Sequence, residues 1–168
     1  MAMPEAFTHQ DELLTVNTSA HPFLQNFAGH EGISVFPLFL DPGNGTWIMR
    51  ARFKPGITLP LHFHTGIVHI YTMSGCWHYT EYPNQRQTAG CYLYEPGGSV
   101  HQFKTPADNT EDTDFLFIVT GANINFLPDG TYAGLMDAGQ LKVWVDKAIM
   151  EQDNPLKYIA ASIPTYSR

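Results

Sequence analysis

The segments LHFHTGIVH at residues 61–69 and GCYLYEPGGSVH at residues 90–101 decide how this chain is read. In an extended strand, residues two apart point to the same face, so His62 and His64 stand side by side and Phe63 faces away. His101 follows the Pro96-Gly97-Gly98 turn about forty residues later, and a neighbouring strand would bring it up as a third imidazole. Imidazole suits Fe, Zn, Cu or Ni, and a face of three nitrogens leaves positions open for water, substrate or oxygen. Taken singly, each histidine reads as a surface or core residue. The joint spacing makes His62, His64 and His101 metal ligands.

Around these segments, residues 35 to about 135 read as short extended runs separated by turn clusters, the spacing of a sandwich or barrel. The expected strands are 35–40, 46–53, 61–64, 68–73, 77–82, 91–94, 100–104 and 115–120. Asp41-Pro42-Gly43-Asn44-Gly45, Lys54-Pro55-Gly56, Ser74-Gly75, Pro83-Asn84 and Asp108-Asn109 supply turn chemistry between them. Trp47, Met49, Ala51 and Phe53 alternate with Arg50 and Arg52, giving one buried and one polar side. Residues 122–135 read as a small appended ribbon turning at Pro128-Asp129-Gly130. Beyond it, Leu141, Trp144, Val145, Ala148 and Ile149 form a helical stripe, with Asp137 and Gln140 as a capping box and Asn154-Pro155 as the stop. The expected organisation is an N-terminal arm (1–34), a β-barrel (35–135), and a C-terminal helix and tail (136–168).

At 168 residues the chain has the length of one domain with a sizeable core. Only 15% of residues are charged and 43% are apolar, which argues against disorder and suits an oligomer. The net charge of −7, with nine scattered Lys and Arg, provides no basic stripe for nucleic acid. No apolar run is long enough to span a bilayer and the N-terminus has no signal-peptide pattern, so the expectation is a soluble, cytoplasmic protein without a membrane partner. Cys76 and Cys91 read as reduced packing residues.

The two segments resemble the paired motifs of the cupin superfamily, G-x5-H-x-H-x3,4-E-x6-G and G-x5-P-x-G-x-x-H-x3-N. Gly56 takes the leading position of the first motif, Gly90 through His101 match the second, and Thr105 stands where Asn is usual. The resemblance implies an all-β fold: a single-domain cupin jelly-roll barrel with a C-terminal α-helix. His69 occupies the position of the usual glutamate ligand. Either it serves as a fourth neutral ligand or it sits in the pocket wall, with Glu81 as the nearest carboxylate that could stand in, since a hairpin turning at Ser74-Gly75 would bring it back opposite His69.

More finely, the run from Leu61 to Glu81, the Tyr94-Glu95-Pro96 approach to the second motif and the Val119-Thr120-Gly121-Ala122 strand resemble the 2,4'-dihydroxyacetophenone dioxygenase family. The acetylacetone-cleaving dioxygenase is a looser likeness. The resemblance implies a non-haem Fe(II) enzyme that uses O2 to split a C–C bond beside a carbonyl in a small diketone or hydroxyaryl ketone, with Zn or Ni as alternative ions. Family habit adds a homodimer. His69 or Glu81 would move the proton when the ketone enolises, each imidazole would be oriented through its other ring nitrogen, and Tyr79 and Phe103 would line the substrate pocket. Two other readings remain open here. One is a non-catalytic metal-binding or ligand-sensing cupin, disfavoured by a chain that ends at Arg168 without an effector segment. The other is an oxygen-independent metal-dependent isomerase or hydrolase.

Overall fold

The computed structural model describes residues 14–161, and the expected arm and tail extend beyond them to residues 1–13 and 162–168. Twelve strands follow in chain order: β1 (Ile33–Asp41), β2 (Thr46–Phe53), β3 (Leu61–His64), β4 (Val68–Ser74), β5 (Cys76–Tyr79), β6 (Gln87–Thr88), β7 (Tyr92–Glu95), β8 (Phe103–Lys104), β9 (Thr113–Thr120), β10 (Asn123–Phe126), β11 (Tyr132–Met136) and β12 (Ile159–Ala160). The one α-helix among the described residues, α1 (Ala138–Glu151), lies between β11 and β12.

One layer is a six-stranded sheet in the order β12-β1-β2-β9-β4-β7. The other is made of β11-β10-β3 and β6-β5-β8, tied together by bridges at His62↔His101 and Thr58↔Lys104. Two layers facing each other around an apolar interior make a jelly roll. Alternation along β2 turns Trp47, Met49, Ala51 and Phe53 inward, where they meet Val68, Ile70, Phe115 and Val119.

The outward side of β2 settles the role of its arginines. Arg50 and Arg52 both reach Asp114 on β9, at 2.7 and 2.9 Å, and both guanidinium groups lie over the Phe23 ring. Arg50 also donates to Thr18. This ionic and aromatic clasp fastens residues 18–24 against the outside of the sheet.

The boundary between β4 and β5 corrects one expectation. Gly75 has φ +73°, and a Cβ there would stand 2.6 Å from Cα of Thr113, so the chain needs glycine at this tight passage. At that point it leaves one layer for the other: β4 pairs with β7 and β9, whereas β5 pairs with β6 and β8. Strands 68–73 and 77–82 are therefore not a paired hairpin, and Glu81 is not brought back opposite His69. The second strand also stops early, at Tyr79, with Thr80 and Glu81 in a turn.

The ribbon at 122–135 is likewise an integral part of the layer. β10 pairs with β11 and also with β3, placing Asn123 opposite His64 and Asn125 opposite His62. The sequence pattern shows a hairpin but not the strand beside which it docks.

Asp137 caps α1 by accepting the Gln140 backbone N–H at 2.8 Å. The helix buries Ala138, Leu141, Val145 and Ala148, while Trp144 packs edge-on against Phe27 at 6.4 Å. Leu141 and Trp144 line the barrel interior. Cys76 and Cys91 are both free thiols.

Candidate metal centre and its cavity

His62 and His64 enter the interior from β3 because the strand alternates, and both are buried. His101 joins them through the backbone: the His62 N–H donates to the His101 carbonyl at 3.0 Å, and the His101 N–H returns to the His62 carbonyl at 2.9 Å. The ring centroids lie 4.6 Å apart for His62 and His101, and 5.5 Å apart for His64 and His101. One ring nitrogen from each of the three falls within 4.8 Å of the others, an arrangement able to hold a metal ion. Thr105, at the position where Asn is usual, is fully buried. It receives the Ile57 N–H and donates to the Lys54 carbonyl, which anchors the loop leading into β3.

A carboxyl that sequence reading had not singled out as a site residue completes the cluster. Glu95, the last residue of β7, is 4% exposed, and its Oε2 lies 3.3 Å from His64 Nε2 and 3.4 Å from His101 Nε2. Its Oε1 accepts the Tyr79 hydroxyl. The available signal was strand parity. Glu95 ends the alternation of Tyr92, Leu93 and Tyr94, so it falls on the same face as Leu93, directed inward.

Burial governs the charge of these groups. It pushes the His64 imidazole down to about 3 and the His101 imidazole to about 4, lowers that of His62, and raises the Glu95 carboxyl to about 8. At neutral pH the close contacts between Glu95 and the imidazoles are therefore neutral contacts and not ion pairs. Glu95 Oε2 and His101 Nε2 are buried and without hydrogen-bond partners. Such unsatisfied atoms cost free energy that a cation would recover, so the three imidazole nitrogens, with the Glu95 carboxyl beside two of them, fit a divalent ion.

His69 and Glu81 stand elsewhere. Along β4, Val68 and Ile70 point inward, and His69 points outward. There its Nδ1 pairs with the Tyr92 hydroxyl at 2.7 Å, and its ring lies 5.6 Å from that of Tyr94. Glu81 is exposed in the turn after β5 and accepts the Gln102 backbone N–H. Neither lines the cavity, which corrects their expected placement there. Tyr79 and Phe103 do line it: Tyr79 packs 4.4 Å from the His101 ring, and Phe103 stacks on Trp77 at 4.7 Å. Phe63 faces away from the cavity and stacks on Phe126.

The cavity has a volume of about 350 Å³. Trp47, Met49, Phe53, Ile70, Phe115 and Val119 form an apolar wall, while the polar atoms gather at the end carrying the three histidines, Glu95, Asn123 and Asn125. Such a chamber suits a small molecule with a polar end and an apolar body.

The model of the ChrR cupin-like domain matches residues 11–123, about two thirds of the chain. The chain belongs to the ChrR cupin-like domain family. A cupin-fold protein of unknown function from Ralstonia eutropha JMP134 resembles this cupin along nearly its whole length: identity is 66% over 96% of this chain and 100% of that one, with a TM-score of 0.92. An RmlC-like cupin from the same organism is 20% identical over 89% of this chain and 95% of that one, with a TM-score of 0.78. Acetylacetone dioxygenase from Acinetobacter johnsonii is 16% identical over 87% of this chain and 99% of that one, with a TM-score of 0.66. The last two likenesses bear on the fold alone. No functionally curated protein matches the chain.

Proposed function

We propose that this cupin is an Fe(II)-dependent dioxygenase that cleaves the C–C bond beside a carbonyl in a small diketone or hydroxyaryl ketone. The observation that carries this reading is the meeting, at one end of a largely apolar cavity, of three uncharged imidazoles and one buried carboxyl. The marks shared with the 2,4'-dihydroxyacetophenone dioxygenase family add the reaction class.

Bound iron(II) would supply a Lewis acid for a chelating enolate and the redox partner for oxygen. The chain does the rest. Neutral imidazoles leave the full charge of the ion available to an anionic, two-oxygen substrate. Glu95, whose ionised form a neighbouring cation would favour, takes the proton that leaves carbon as the ketone enolises, the role expected of His69 or Glu81 in the sequence, and Tyr79 fixes its carboxyl through Oε1. Phe53, Phe115 and Val119 give the cavity an apolar wall for the body of the substrate. For a hydroxymethyl ketone the balance is R–CO–CH2OH + O2 → R–COOH + HCOOH, with both oxygen atoms entering products.

The experiment is oxygen uptake by protein loaded anaerobically with Fe(II), against a panel of diketones and hydroxyaryl ketones, with His101→Ala beside it. Substrate-dependent uptake that zinc does not support and the variant lacks is the expected result. A fully loaded protein that consumes no oxygen with any member of the panel would overturn the reading in favour of an oxygen-independent enzyme or a binding module.

A further inference from the structure

A histidine that binds metal through Nε2 carries its proton on Nδ1, and that proton needs an acceptor when buried. His62 has one in the backbone: its Nδ1 lies 2.8 Å from the Pro60 carbonyl. His64 differs: its Nδ1 is buried with no hydrogen-bond partner.

Apart from Glu95 Oε2, which faces the Nε2 side of the ring, one buried side-chain oxygen is also unpartnered, Oδ1 of Asn123. Asn123 is 7% exposed and sits directly opposite His64 in the β3–β10 ladder, and side chains of directly opposed residues touch. Without an ion, His64 Nε2 faces the Glu95 carboxyl and can keep the ring proton there. An ion at Nε2 forces that proton to Nδ1, where the amide oxygen of Asn123 stands across the ladder.

We propose that Asn123 is the positioning residue for His64, accepting the Nδ1 hydrogen across the strand pair and so holding Nε2 on the metal. The proposal rests on the metal centre described above but not on the reaction assigned to it. Asn125 provides an internal comparison. It is two residues along the same strand, opposite His62, whose Nδ1 already has the Pro60 carbonyl.

The test is a Co(II) and Zn(II) titration of the full chain in four forms: wild type, Asn123→Leu, Asn123→Asp and Asn125→Leu. The leucine has nearly the shape of asparagine and no acceptor, so Asn123→Leu is expected to bind both ions about 10- to 100-fold more weakly. Asn123→Asp restores an acceptor and should stay within about threefold of wild type or bind more tightly, and Asn125→Leu should be unchanged. In zinc-loaded wild type, nitrogen-15 NMR should show His64 with a slowly exchanging Nδ1 proton.

Equal binding by Asn123→Leu and wild type would overturn the proposal, as would equal weakening by leucine and aspartate. If Asn123→Leu does not fold, a rapidly exchanging Nδ1 proton in the wild type is sufficient to overturn it. Wild type that binds neither ion would remove the metal centre itself. The titration needs neither substrate nor oxygen, so a failed dioxygenase assay leaves it standing.

Discussion

The Tyr79 hydroxyl donates to the same buried carboxyl, that of Glu95, whose other oxygen touches two imidazoles of the metal centre. Strand β5 thus fixes, through one hydrogen bond, a group delivered by β7. Tyr79→Phe removes that bond and nothing else of comparable size. Stability should fall by about 1–2 kcal/mol, as for one buried hydrogen bond, and oxygen uptake should fall about 10- to 100-fold. Metal content, measured by elemental analysis, should stay at wild-type level. Loss of the metal together with the activity would assign Tyr79 to the metal centre and not to the carboxyl.

His101→Ala deletes a ligand yet leaves the backbone bridge to His62 in place. The variant should remain folded by circular dichroism and lose at least about 100-fold in Zn(II) affinity. Unchanged affinity would place the ion elsewhere.

Metal-free protein should be most stable near pH 6.5. His64 and His101, held at about 3 and about 4, stay neutral in the folded state while unfolded imidazoles gain protons below 6.5. Their contribution is complete above 6.5 and is lost as the pH falls toward 4. Glu95, raised from 4.5 to about 8, works in the opposite sense: the folded carboxyl keeps its proton while the unfolded one releases it. Its contribution is complete below 4.5 and lost as the pH rises through 8. Between 4.5 and 6.5 two imidazoles outweigh one carboxyl, and above 6.5 only the carboxyl acts, each group changing stability by at most about 1.4 kcal/mol per pH unit. Urea midpoints at pH 5, 6.5 and 8 check this, and Glu95→Gln should flatten the alkaline limb.

Asp114→Asn should loosen the arm. Asp114 is 4% exposed and binds both Arg50 and Arg52, which in turn cover Phe23. Both arginines are partly solvated, so the expected loss is about 1–3 kcal/mol, short of a fully buried pair. Faster proteolysis near residues 18–24 should accompany it. A protease pattern identical to wild type would show that Phe23 and Leu24 hold the arm by packing alone.

The histidine spacing brought the metal face into view, because strand parity is local and fixes the direction of His62, His64 and Phe63 without knowledge of neighbours, while the jelly roll followed from the resemblance of the two motifs to cupins. Helix α1 was equally legible, cap included. What escaped depends on which strands pair. Glu81 was placed by supposing that β4 and β5 run as a hairpin, which the crossing at Gly75 between layers rules out, and His69 by its place in the motif, although β4 turns it outward. Non-local pairing also put Asn123 beside His64 and brought Glu95 to the same imidazole. Alternation within one strand does not say which distant strand lies beside it.

The reciprocal backbone pair between His62 and His101 has a practical consequence. Two donors 39 positions apart in sequence are held in register by main-chain hydrogen bonds that need no ion to form. The protein can therefore be stripped and reloaded without passing through an unfolded state, and apo crystals should superpose on loaded ones. With a bite fixed in advance, preference among ions follows the Irving–Williams order and whatever the surroundings supply. The ion found after purification then reports the growth medium more than the polypeptide.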